Sequence, residues 1–311
     1  MKACPCNAGL SNSGTACTPI GKVAAQLIIV PLFGSDGTRN GITLTDTIDD
    51  TYISDRINDT DKTKRWYPLP VLKNVADDRA EPLTETFEDG SKIPIQQGVR
   101  SFSGLVVDNS SPQLLGALES YSCFDFGVLV LDTDGNIIGT IGTQEECDIT
   151  TLYPIRVDKG SWNPLFVKAS DKLSQKIKVM FDFYRTEQDS ALRMITAAEM
   201  TADTTALTGL VDVCAEYSAE DNTTFTATLK TFFGTPKSPV LVEGLIAADF
   251  ALYNVTDSLA VTISTVTETS AGVYVFTFPS QTNADELRLT PTKTGYDFAL
   301  VVANHIQMPL T

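Results

Sequence analysis

The sequence predicts a mainly β protein: a β-rich body with one or two short helices, followed by a small C-terminal β-sandwich. Three observations predict it. Short runs of β-branched and aromatic residues recur between turns built from Gly, Asn, Asp and Pro. One run, residues 174–184, alternates without a break, with Ile177, Val179, Phe181 and Phe183 on one side and Lys176, Lys178, Met180, Asp182 and Tyr184 on the other. That is the pattern of a half-buried strand with one wet or partner-facing side. Helical periodicity is confined to brief stretches. With 311 residues and 42% hydrophobic content, the chain is long enough for two domains, each with its own core.

Residues 1–20 are rich in Gly, Ser, Asn, Thr, Pro and Cys without apolar periodicity, and read as a flexible N-terminal arm that orders only against a partner. From Val23 a β-branched run ends at Pro31 and is followed by Gly34-Ser35-Asp36-Gly37, a strand and then a turn. Asp50 to Ile57 is framed by aspartates as a short helix. Residues 83–87 and 92–96, around Glu88-Asp89-Gly90, read as a hairpin, and 99–107 as a further strand. Ser111 caps a second helix with Pro112 at its first position. Residues 124–131 and 137–141 flank Asp132-Thr133-Asp134-Gly135-Asn136 as a hairpin; 200–207 reads as a short helix or loop, and 210–217 with 223–233 as another strand pair.

Gly234-Thr235-Pro236-Lys237-Ser238-Pro239 then punctuates the chain. Beyond it, strands at 240–242, 250–254, 261–266, 274–278 and 287–290 are spaced as in a small sandwich. The domain scheme is therefore an arm at 1–20, a β-rich assembly domain at 21–238 and a sandwich at 239–311.

Charge narrows the function. Lys+Arg is 23 against Asp+Glu 39, a formal charge of −16, which repels nucleic acid and anionic lipid. The exception is the segment 61–70, where Lys62, Lys64 and Arg65 adjoin Trp66 and Tyr67. A nucleic-acid reading would stack bases on the two rings; a loop anchored by its aromatics and balanced by nearby aspartates is preferred in so acidic a chain. No run of about 18 apolar residues exists, which argues against a membrane partner. The amino terminus lacks the apolar core of a secretory signal, so folding in a cytoplasm is expected, with Cys4, Cys6, Cys17, Cys123, Cys147 and Cys214 reduced and structural in preference to cross-links formed after assembly or a metal site.

Catalytic and cofactor motifs find little support, and no catalytic, cofactor-binding or metal residues are expected. Asp132-Thr133-Asp134-Gly135 departs from the Asp-Thr-Gly of an aspartic protease and has no second copy. As a calcium loop, Asp132, Asp134 and Asn136 start well, but position twelve is Thr143 instead of Glu, so a plain hairpin turn is preferred. A Ser-His-Asp or Cys-His arrangement would have to use His305, the single histidine, which reads as a surface or strand-edge residue. The carboxylate pairs Asp77-Asp78 and Glu145-Glu146 read as solvated charge.

Several segments resemble a family of virion proteins from tailed phages of Bacteroidetes hosts. They are Cys4-Pro5-Cys6 through Cys17-Thr18-Pro19-Ile20, Leu44-Thr45-Asp46-Thr47, the run from Lys62 to Pro70, Trp162-Asn163-Pro164 and Leu192-Arg193-Met194-Ile195. The C-terminal part resembles the immunoglobulin-like modules that phages append to tail tube and capsid proteins, through residues 244–250 and 293–298. The resemblance implies a structural virion protein, a tail-tube-like domain whose copies form stacked, hexameric rings. Its partners would be itself, other tail proteins and DNA passing through an acidic lumen without specific binding. It would be made in the host cytoplasm and reside in the virion tail. A capsid-decorating or head-to-tail connector protein, and an adhesin gripping its target through Tyr253, Tyr274 and Tyr296, are the alternatives.

Overall fold

A computed structural model describes residues 21–108, 110–145 and 148–309. The N-terminal arm expected at 1–20, with Cys4, Cys6 and Cys17, lies outside the described residues, as does Cys147. The fold is mainly β, with antiparallel sheets and three short α-helices among the described residues. It divides into two compact units at Gly209/Leu210.

In the first unit the strands are β1 Ala24–Pro31, β2 Ile42–Thr43, β3 Tyr67–Pro68, β4 Leu72–Arg79, β5 Leu83–Thr86, β6 Lys92–Gln96, β7 Arg100–Val106, β8 Phe126–Asp132, β9 Ile137–Thr140, β10 Thr151–Leu152, β11 Ile155–Arg156, β12 Asn163–Val167, β13 Lys176–Asp182 and β14 Leu192–Ile195. One sheet runs β14-β9-β8-β1-β3, with β11 also on β8; a second runs β12-β13-β7-β4. Leu27 and Ile29 of β1, Val128 and Val130 of β8, Phe102 and Val106 of β7, and Ile177, Val179 and Phe181 of β13 meet in one core. Alternation explains the partition: Ile177, Val179 and Phe181 are buried while Lys176, Lys178, Met180 and Asp182 face outward, half-buried. β8 is buried along its whole length, so it is covered on both faces.

Helix α1, Asp50–Ile57, starts where Asp49 accepts the Tyr52 N–H. Helix α2, Pro112–Ser120, starts where Ser111 accepts from Leu114, with proline in the first turn, and buries Leu118. The indole of Trp162 donates to the Leu118 carbonyl at 2.7 Å and packs edge-on to Phe126, 5.2 Å between centroids.

Gln26 interrupts the apolar run of β1, yet it is 1% exposed. Its amide donates to the carbonyls of Leu69 and Leu207 and accepts from the Leu207 N–H at 3.1 Å. It stitches the end of the first unit to β1, which lies between β8 and β3 in the first sheet. Gln26→Leu strands those backbone groups, so a loss of about 1–3 kcal/mol is expected in urea unfolding; an unchanged midpoint would show the stitch to be dispensable.

The second unit contains β15 Val211–Ala219, β16 Thr224–Thr235, β17 Ser238–Leu241, β18 Phe250–Asn254, β19 Leu259–Val261, β20 Thr265–Ser270, β21 Val273–Thr277, β22 Glu286–Pro291, β23 Tyr296–Asp297 and β24 His305–Gln307, with helix α3, Ala299–Ala303. Its sheets run β20-β21-β16-β15-β23, with β17 also on β16, and β19-β18-β22-β24. They enclose one core that includes Val213, Phe225, Leu229, Phe250, Leu252, Tyr274, Phe276, Leu287, Leu289 and Ile306. Taking β15, β16, β18, β20, β21, β22 and β24 as A to G gives an immunoglobulin constant-type order, A-B-E-D against C-F-G, with β19 added beside C. The described residues hold no disulfide in this core; stacked Phe225 and Phe276, 4.7 Å apart, occupy its centre.

The boundary expected at Ser238/Pro239 is therefore corrected to Gly209/Leu210. Gly234-Thr235-Pro236-Lys237-Ser238-Pro239 is the tip of the β16–β17 hairpin, with Gly234 opposite Pro239 and Thr235 opposite Ser238. Gly and Pro punctuate there because the chain reverses, not because a domain ends. The strand expected over 261–266 is likewise two, since the chain leaves one sheet after Val261 and enters the other at Thr265.

Candidate functional surface

β4 and β7 pair down to Arg79 opposite Arg100, and the chain between them continues as the β5–β6 hairpin. The root of this hairpin is clamped. Arg79 Nε and Nη2 reach the two carboxylate oxygens of Asp189 at 2.6 and 2.9 Å, while Nη1 donates to the Gly98 carbonyl and Nη2 to that of Glu187. Arg100 grips Asp77 in the same two-pronged way, at 2.6 and 2.5 Å, and lies 4.4 Å over the Phe183 ring. The Arg79 hydrogen bonds, with the charges of Arg79 and Arg100, hold the Asp189 carboxyl below its ordinary range against the opposing effect of burial. At Gly98 a Cβ would fall 1.8 Å from the Ala80 carbonyl oxygen, so only glycine fits where the two strands cross.

Beyond the root every residue from 81 to 97 is exposed. Ile93 and Ile95 share the face on which Glu85 stands opposite Ile93; the register shifts between Leu83 and Thr84, which sets Leu83 opposite Gln96 at the root, and Phe87 sits at the tip. Their exposures run from 42% at Phe87 to 61% at Leu83. The tip is shaped by Gly90 at φ 80 and by Asp89, which accepts the Ser91 N–H and hydroxyl. A two-stranded hairpin with no core of its own is marginal in water. The hairpin was legible in the sequence; its projection was not, because both strands carry an ordinary apolar pattern.

The structure disperses the residues weighed for chemistry. Asp132 is 1% exposed and closes the β8–β9 hairpin through four donors: the N–H groups of Lys22, Asp134 and Asn136 and the Asn136 amide. Both its oxygens face hydrogen-bond donors, as a turn requires. Among the described residues no cluster of three or more His, Cys, Asp or Glu could hold a metal. His305 lies on the edge strand β24 with Nδ1 3.1 Å from Glu286. Asp77 is in the Arg100 clamp, Asp78 faces outward on β4, and Glu145 is exposed.

Trp66 is 2% exposed against Tyr52 and Arg65 is buried, while Lys64 pairs with Asp36 at 2.7 Å, so this segment is an anchored loop and not a base-stacking platform. Tyr274 is wholly buried, donating to Val242 and accepting from Leu245, which removes it from any carbohydrate-gripping surface. Tyr253 and Tyr296 lie under Arg288 and Lys293. Asp182 accepts from Ser101. Cys123 and Cys214 are free. No helix of the described residues is long and apolar enough to cross a membrane.

A signal that sequence reading missed accounts for part of the acidity. Asp36, Asp61, Asp89, Asp203 and Asp221 each accept both the N–H and the hydroxyl of a Ser or Thr two residues on. Asp-x-Ser/Thr is the spelling of such a turn. These bonds, led by Lys64 at Asp36 and by Ser35 at Asp61, hold the five carboxyls below their ordinary range. Many of the chain's aspartates thus close loops.

Comparison with known proteins finds no matching family model and no matching curated sequence.

Proposed function

We propose that this chain is a structural subunit of a tailed-phage virion that assembles with copies of itself, and within that class a tail tube protein carrying an immunoglobulin-like module. The observation that carries the reading is the clamped hairpin arm. A root fixed by two bidentate Arg–Asp pairs holds out a strand pair whose apolar side chains nothing among the described residues covers. Stable monomers seldom keep such a surface; assembling subunits need one. The β-rich first unit, the sandwich and the resemblance of the segments from Lys62 to Pro70 and around Trp162 support the same reading. A net charge of −16 suits a conduit over which DNA slides without adhering. Sedimentation velocity of the full chain over a wide concentration range tests the reading: concentration-dependent oligomers of defined size are expected, and a single monomer boundary throughout would overturn it.

A further inference from the structure

The outer face of the β12-β13-β7-β4 sheet is polarised. At the end where β4 and β7 leave for the arm lie Asp78 and Asp182, followed on the arm by Glu81, Glu85, Glu88 and Asp89 against one lysine, Lys92. At the opposite end, where Ile177 pairs with Val106, β12 and β13 join through a hairpin closed by Ser170 and Leu173. That end carries Lys168, Lys172, Lys176 and Lys178 with Asp171, beside a fifth lysine, Lys73, that pairs with Asp108 at 3.5 Å. None of the four lysines is in an ion pair among the described residues. Beside them Leu165 is 43% and Leu173 52% exposed. One pole of the unit is thus acidic and apolar, the other basic and apolar.

We propose that the arm of one copy docks on the β12–β13 hairpin of the next copy, its exposed Leu83, Ile93 and Ile95 against Leu165 and Leu173, and its glutamates among the four lysines. This names the surface for the self-assembly reading above and rests on it. Charge complementarity selects a second copy as the occupant, because the lysine pole supplies what the arm lacks in both sign and apolarity. The two poles differ, so the contact is head-to-tail: repeated, it closes a ring if the rotation per copy allows and otherwise runs on as a filament. The arm's 17 exposed residues approach the roughly 20–30 residues that one side of a standard interface uses.

Charge reversal on the full chain tests this. All the sites are exposed or outward-facing, so Glu85→Lys with Glu88→Lys, and Lys172→Glu with Lys176→Glu, should leave the thermal melt unchanged. Each pair alone should weaken self-association about tenfold or more, and the two pairs combined in one chain should restore it to within about threefold of the parent. Ile93→Asp, which leaves the arm's backbone intact, should weaken association in the same assay. If the parent assembles and both reversed pairs assemble equally well, or the combined chain is not restored, this surface is wrong while self-assembly stands. If the parent never assembles, both fall.

Discussion

A chain ending at Ser238 is expected to be insoluble or to carry an unfolded C-terminal tail, whereas a chain ending at Gly209 is expected to be soluble with one cooperative melt. The first cut leaves β15 and β16 without the sheet that faces them. Val213, Phe225, Ala227 and Leu229, each 0% exposed in the intact protein, would then meet water. At about 1.5–3 kcal/mol for each large apolar side chain, the exposure exceeds what a small unit can tolerate. The second cut removes the sandwich whole and leaves the first core intact. Expression yield, gel filtration and calorimetry distinguish the two, and a soluble, cooperatively melting 1–238 chain would show that the division lies where the Gly-Pro punctuation first suggested.

Replacing Asp132 is expected to cost about 3–5 kcal/mol, the largest effect of any polar substitution in the first unit. One oxygen accepts from the N–H groups of Asp134 and Asn136, at 2.9 Å each, and the other from the Lys22 N–H at 3.1 Å and the Asn136 amide at 2.7 Å. Asp132→Asn fails in either orientation, because its NH2 must face two donors. The turn cannot shift to compensate: Asn136 also accepts from the Ala197 N–H at 2.9 Å, Thr204 donates to the Gly135 carbonyl at 2.5 Å, and Gly135 sits at φ 81. Burial pushes the Asp132 carboxyl up, but the bonds from Asn136, Lys22 and Asp134 outweigh it and hold the carboxyl below its ordinary range. A depressed folded-state value contributes stability above about pH 4 that is lost as pH falls through it. The parent protein should therefore lose stability steeply between about pH 5 and pH 2, helped by the five Asp-x-Ser/Thr turns, and Asp132→Asn should lose less over that range. Urea midpoints at pH 7 and pH 3 check both points; a variant within about 0.5 kcal/mol of the parent at pH 7 would overturn them.

Much of the fold was legible because local signals agreed with the global arrangement. Ser111-Pro112 specified α2, the alternation from Lys176 to Asp182 specified both the strand and its buried face, and Asp50 to Ile57 was framed as the helix it is. β4 left no such trace: Asn74 at φ 51 sits in a bulge between Lys73 and Ala76, and Asp77-Asp78-Arg79 is charged, so the strand lacks alternation. The domain boundary was misread because turn chemistry is the same at a hairpin tip and at a linker, and Gly234 to Pro239 has the stronger version of it. The arm's residues were readable as a hairpin, but the Arg79–Asp189 contact that fixes its root joins residues 110 apart in sequence. Long-range ion pairs of this kind have no periodic signature.

Negative-stain microscopy of the purified full chain at high concentration tests the central claim, that this is a self-assembling structural subunit, most directly. Rings, or stacked rings drawn out into tubes, are the predicted result. Closed shells would move the protein from the tail to the capsid, and a field of single particles of about 34 kDa at every concentration would contradict the account.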